Sequence, residues 1–123
     1  MHIIRLKHPW EKRRTGETAA VRVQVPEPAA DDANSACDEA SYTRYFNRPT
    51  GLDATSTVTL RISGWQGRLE SISLNGQGLD NGSPPLEIDI TALLVDRNQL
   101  DARLASKDDE PCRLCGEVDL LIS

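Results

Sequence analysis

The strongest constraint on this chain is an apolar–polar alternation of period two that recurs along it. Val21, Val23 and Val25 alternate with Arg22 and Gln24, and Val58, Leu60 and Ile62 with Thr59 and Arg61. Leu86, Ile88 and Ile90 follow the same rule, as do Leu100, Ala102 and Leu104, and Val118, Leu120 and Ile122 near the end. Successive side chains of a strand point to opposite faces, so each set gives one apolar and one polar face, as antiparallel sheets wet on one side require. Weaker segments complete a prediction of about eight strands, near 2–8, 19–25, 42–48, 56–63, 69–75, 86–90, 99–105 and 117–122. Thr15-Gly16, Pro49-Thr50-Gly51, Trp65-Gln66-Gly67, Asn75-Gly76 and Asn81-Gly82 separate them with residues that tolerate left-handed backbone or preset φ. The pattern predicts an all-β, two-sheet antiparallel sandwich of jelly-roll type. Only Thr91 to Val95 reads as helical, a single turn capped by Thr91 that carries the chain between sheets.

A length of 123 residues suits one domain spanning residues 1–123. Residues 26–41, PEPAADDANSACDEAS, carry five acids and no base, and predict a long mobile acidic loop. The net charge of −5 argues against nucleic acid as a partner, because counterion release needs a basic footprint. Lys12, Arg13 and Arg14 form the only basic run, read as a solvated hairpin turn beside Thr15-Gly16-Glu17. No apolar stretch is long enough to span a bilayer, and the charged start lacks a signal-peptide core, so a cytoplasmic protein is expected. Three cysteines fit a reducing compartment better than a disulfide framework.

Several motifs bear on chemistry. Cys112-Arg113-Leu114-Cys115 has the spacing of half a zinc site or a redox pair. It lacks a second close pair of ligands, and it precedes a strand where a low-pKa thiol wants a helix N-terminus. A hairpin with two free thiols is the expectation. His2 and His8 read as structural or surface residues. Asp31, Asp32, Asp38 and Glu39 are a calcium alternative without EF-hand spacing, and read as a solvated loop. Gly76-Gln77-Gly78-Leu79-Asp80-Asn81-Gly82 misses the dinucleotide fingerprint by one position and joins strands rather than a strand to a helix. No acid, base or nucleophile set can be named, so catalytic, cofactor and metal residues are all assigned as none. Of the five aromatics, Phe46 is expected in the core and Trp10 as an anchor after Pro9. Trp65 sits at a turn, either stacking on a sugar with Gln66 and Arg68 beside it or folding back as a lid over the sandwich end.

Tyr45-Phe46-Asn47-Arg48-Pro49, Thr57 to Gly64, Ser71-Ile72-Ser73-Leu74-Asn75-Gly76, Leu86 to Leu94 and Arg97-Asn98-Gln99-Leu100 occur in that order. Across roughly residues 45–104 the chain resembles the sugar-binding jelly-roll domain of family-two glycoside hydrolases, the β-galactosidase and β-glucuronidase family. The matched patterns are that domain's F-x-x-P strand end, V-x-L-N-G hairpin, F-D-I-T-x-L-L segment and x-N-x-L. The loop Gln77 to Pro85 departs from it, being short and without an aromatic, and a free-standing relative without the catalytic barrel is expected. The resemblance implies a galactose-binding-like fold and a non-catalytic binding module with carbohydrate as ligand class. Trp65, Gln66 and Arg68 are its candidate contacts. The alternative is a protein-interaction or self-association module with no small ligand.

Overall fold

The computed structural model describes residues 2–14, 16, 18–26, 39–80, 82–106 and 112–123. Ten strands occur among them: β1 (His2–Arg5), β2 (Trp10–Arg14), β3 (Val21–Val23), β4 (Glu39–Asn47), β5 (Val58–Ile62), β6 (Arg68–Leu74), β7 (Gln77–Gly78), β8 (Leu86–Asp89), β9 (Arg97–Ala105) and β10 (Val118–Ile122). They form two antiparallel sheets, one ordered β1-β10-β5-β8 and the other β3-β2-β4-β9-β6-β7. The sheets stack as a sandwich, and the alternation predicted from the sequence supplies its interior. Val58, Leu60 and Ile62 of β5 and Val118 and Leu120 of β10 face Tyr42 of β4, Ile72 and Leu74 of β6, and Leu100 and Leu104 of β9 in one buried cluster.

Five-residue runs of alternation mark the apolar strands, whereas the composition of β2 conceals it. Its inward positions are Trp10 and Lys12, at 1% and 3% exposure. The Lys12 ammonium lies 5.3 Å from the centroid of the Tyr42 ring, a cation–π contact that lets a long basic side chain serve as an inward residue. The basic run is therefore a strand with Lys12 buried, not a solvated turn. Trp10 anchors the crossover between the sheets: its indole N–H donates to the Leu6 carbonyl at 2.7 Å. Phe46 is buried as expected.

Three further expectations change. The acidic segment 26–41 ends earlier than composition suggests, because Glu39, Ala40 and Ser41 open β4. Residues 27–38, with Asp31, Asp32, Cys37 and Asp38, lie outside the described residues. The turn before β9 is a 3₁₀ helix over Thr91–Leu93 whose N-cap is Ile90, with no side-chain cap. The Thr91 hydroxyl instead donates to Asp89 Oδ1 at 2.6 Å and accepts from the Val58 N–H at 2.8 Å, stitching β8 to β5. The short strand β7 was not foreseen. Asn75 and Gly76, at φ 54° and 82°, make the tight reversal that brings it back onto β6.

The outer face of the smaller sheet carries a charge ladder set by register, Arg5 opposite Asp119, Asp119 opposite Arg61, and Arg61 opposite Glu87. Asp119 is fully buried beneath its neighbours, with Arg61 Nη2 at 3.0 Å. No helix among the described residues is long and apolar enough to cross a membrane.

Candidate functional site

The segment joining β5 to β6 is fastened to the segment before β10 by backbone alone. Ser63 donates to the Glu117 carbonyl at 2.8 Å, and Gly116 to Gly64 at 3.0 Å. Gln66 and Arg113 exchange both of their backbone hydrogen bonds, at 2.8 and 3.0 Å. The approach is close enough that a Cβ on Gly116 would meet the Gly64 nitrogen at 2.3 Å. Gly67, at φ 94°, turns the chain into β6 where a Cβ would strike the Ala105 carbonyl at 2.5 Å. Glycine is required at both positions, for closeness at one and for closeness and handedness at the other.

This fastening holds Trp65 half-buried, packed against the core cluster yet lining a cleft of about 350 Å³ with Arg68, Leu69, Ser83 and Pro84. Arg68 is well exposed and paired with Glu70 at 2.6 Å, which steadies its guanidinium at the cleft's edge. Trp65 and Arg68 are thus brought together. Gln66 is not: its backbone is used in the bridge to Arg113, and it does not line the cleft. Ser83 and Pro84 were missed, since nothing in a Ser-Pro-Pro loop announces that it folds over a tryptophan eighteen positions earlier. The cleft offers an aromatic surface, a cation and a hydroxyl, and no carboxylate lines it among the described residues.

Cys112 is buried beside Gly67 and Cys115 is half-buried; neither is in a disulfide. His2 and His8 are exposed. Among the described residues no three histidines, cysteines or acids cluster as a metal site.

No protein-family model matches the sequence, and no curated protein matches it significantly. Solved structures do. An FMN-binding β-glucuronidase from Facaelibacterium prausnitzii superimposes with a TM-score of 0.79 at 24% identity, over 98% of this chain and 22% of its own. The fold is that of a sandwich domain found in such glycosidases. A β-glucuronidase from Bifidobacterium dentium matches with a TM-score of 0.79 at 17% identity, over 99% of this chain and 30% of its own. A β-D-mannosidase from Dictyoglomus thermophilum does so at 0.76 and 16%, over 98% and 22%. The chain thus spans between about a fifth and a third of the solved chains it matches, and the resemblance to family-two glycoside hydrolases seen in its motifs is a resemblance of fold extending over nearly its whole length.

Proposed function

We propose that the chain is a non-catalytic carbohydrate-binding module whose ligand rests in the Trp65 cleft. The observation that carries this reading is the division of labour between the two tryptophans. Trp10 is spent on the core, whereas Trp65 keeps part of its ring at a cleft beside Arg68 and Ser83. A sugar presents an apolar C–H face for an indole and hydroxyls for a guanidinium and a serine, so this set matches both sides of its chemistry. The solved chains of the same fold are named as sugar-acting enzymes, which supports the ligand class.

The test is thermal stability against a panel of neutral mono- and oligosaccharides. A ligand at 100 times its Kd stabilises by about 2.7 kcal/mol, a rise in Tm on the order of 10 °C for a domain this size. One class of sugar should give such a rise, and Trp65→Ala should abolish it while leaving the cooperative melt intact. A flat panel would overturn the reading in favour of an assembly module. That alternative has its own support in the exposed Ile3 on edge strand β1 and Val21 on edge strand β3.

A further inference from the structure

A second cleft, of about 510 Å³, lies at the other end of β9 from Trp65. Arg68 pairs with Ala105 at one end of that strand and Asn47 with Arg97 at the other, a separation of about 27 Å for nine extended residues. The second cleft arises from unequal strand lengths. β2 covers β4 only from Ala40 to Thr43, whereas β9 accompanies β4 to Asn47. Arg44 to Asn47 therefore have a strand on one side only, and the crossover from β1 to β2, through Leu6 and Pro9, forms the opposite wall.

The charge of this cleft is lopsided. Among the described residues, Arg5, Arg22, Arg44 and Arg97 line it against Glu11 alone. Arg5 is already engaged with Glu117 and Asp119, but no ion pair to a carboxylate within 4.0 Å is found for Arg22, Arg44 or Arg97 among the described residues. Arg44 has the inward parity of Tyr42 and Phe46, and its Nε is buried without a hydrogen-bond partner. One of its terminal nitrogens donates to the Tyr45 carbonyl. Burial, and then the charge of Arg97, lower its pKa below the ordinary guanidinium value. Arg97 in turn lies over the exposed Tyr45 ring, 5.5 Å from its centroid. Arg44 and Arg97 line one cleft, where their like charges repel, and an oxyanion between them would offset that repulsion and meet the unpartnered Arg44 Nε.

We propose that this cleft is a binding site for a small organic carboxylate of sugar-acid size, its carboxylate held by Arg44 and Arg97. The planar fork of a guanidinium matches a carboxylate in a two-point contact. The volume suits a ring-sized ligand, and Tyr45 and Arg22 remain for its other groups. The site shares no lining residue with the Trp65 cleft, so it stands or falls separately from the carbohydrate reading above.

Calorimetry at low salt with galacturonate and glucuronate, each beside its neutral sugar, and with inorganic phosphate as a separate arm, tests it. Both arms use the whole chain and its Trp65→Ala variant. Binding of a sugar acid is expected, weakened about 10-fold or more by Arg44→Gln or Arg97→Gln, weakened by added salt, and unaffected by Trp65→Ala. Both glutamine variants should keep a cooperative melt, since Arg44 gives up one hydrogen bond to the Tyr45 carbonyl and Arg97 one contact with the Tyr45 ring; Arg44→Lys should restore affinity only in part. No binding of either acid at about 20 mM, or binding that survives both glutamine variants, overturns the proposal. Phosphate binding as tightly as the acids overturns the carboxylate assignment. A sugar acid whose binding is lost in Trp65→Ala places the ligand at the other cleft and likewise overturns it.

Discussion

Asn98 is the residue whose removal most directly tests how this sandwich is held together at its turn-bearing end. It lies in β9 at 0% exposure. Its Oδ1 accepts from the Val95 N–H at 2.9 Å and from Asn75 Nδ2 at 3.0 Å. Its Nδ2 donates to the Val95 carbonyl at 2.9 Å and the Phe46 carbonyl at 3.3 Å. One amide thereby ties together the exit of the 3₁₀ turn, the end of β4 and the β6–β7 hairpin. In Asn98→Ala the groups of exposed Val95 and Asn75 regain water, at a net cost of about 1 kcal/mol per bond, while the carbonyl of buried Phe46 forfeits the roughly 1–3 kcal/mol of an unmet acceptor. The expected loss is about 4–6 kcal/mol, or a fall in Tm on the order of 15–25 °C for a domain this size. Urea unfolding should show it as a lower midpoint with unchanged slope. Asn75→Ala loses the shared bond and also places a non-glycine, non-asparagine residue at φ 54°, which costs about 1 kcal/mol more. Because the two residues share a bond, the double variant should be less destabilised than the sum of the single ones by about 0.5–1.5 kcal/mol. A Tm within about 3 °C of the parent for Asn98→Ala, or strict additivity, would refute this account.

Two other outcomes follow from the geometry. Gly116→Ala sets a Cβ 2.3 Å from the Gly64 nitrogen and 2.6 Å from its carbonyl oxygen. Neither backbone can yield without parting the joint under Trp65, so a loss of roughly 2–4 kcal/mol is expected in urea. Gly76→Ala, left-handed but open to solvent, should lose only about 1 kcal/mol, and equal losses would contradict the steric argument. The Asp89 carboxyl is held below its ordinary 3.8, first by the Thr91 hydroxyl and then by the Thr91 N–H, and Asp53 is lowered in the same way by Thr55 and Ser56. As pH falls below about 4 the unfolded chain takes up these protons first. Stability present above that pH is therefore lost until the folded carboxyls protonate as well. Asp89→Asn should flatten the acid limb of a Tm-against-pH curve, and parallel curves for variant and parent would count against the assignment.

The strands that reached the sequence as alternation were those with an apolar inner face. β5, β8, β9 and β10 lie within two residues of their expected bounds, because burying Val, Leu and Ile on one side of a pleated strand leaves that trace directly. β2 left no such trace. Its inner row is Trp10 and Lys12, and the aliphatic stem of a lysine carries a burial that its charge conceals. Asp119 conceals burial in the opposite sense: its parity is outward, and only the arginines on both neighbouring strands cover it. At the candidate site, Trp65 was legible because a tryptophan between glycines in a turn is conspicuous. The separation of Gln66 from the cleft was not, because it depends on a backbone bridge to Arg113.

The sequence by itself determined the class of fold. A period of two, broken at residues such as Asn75-Gly76 that permit tight reversal, has few solutions other than stacked antiparallel sheets, since each strand needs an apolar face to bury and a partner for its backbone. Tertiary structure alone decided where the two clefts lie. The Trp65 cleft needs the joint between Gly64 and Gly116, and the arginine cleft needs the order β3-β2-β4-β9. That order brings Arg22, Arg44 and Arg97 to one open edge from three separate strands. Local pattern records which face of a strand is buried. Which strands stand side by side, and where one ends short of its neighbour, depends on contacts between residues far apart in the chain, and those are settled only when the sheets close on their core.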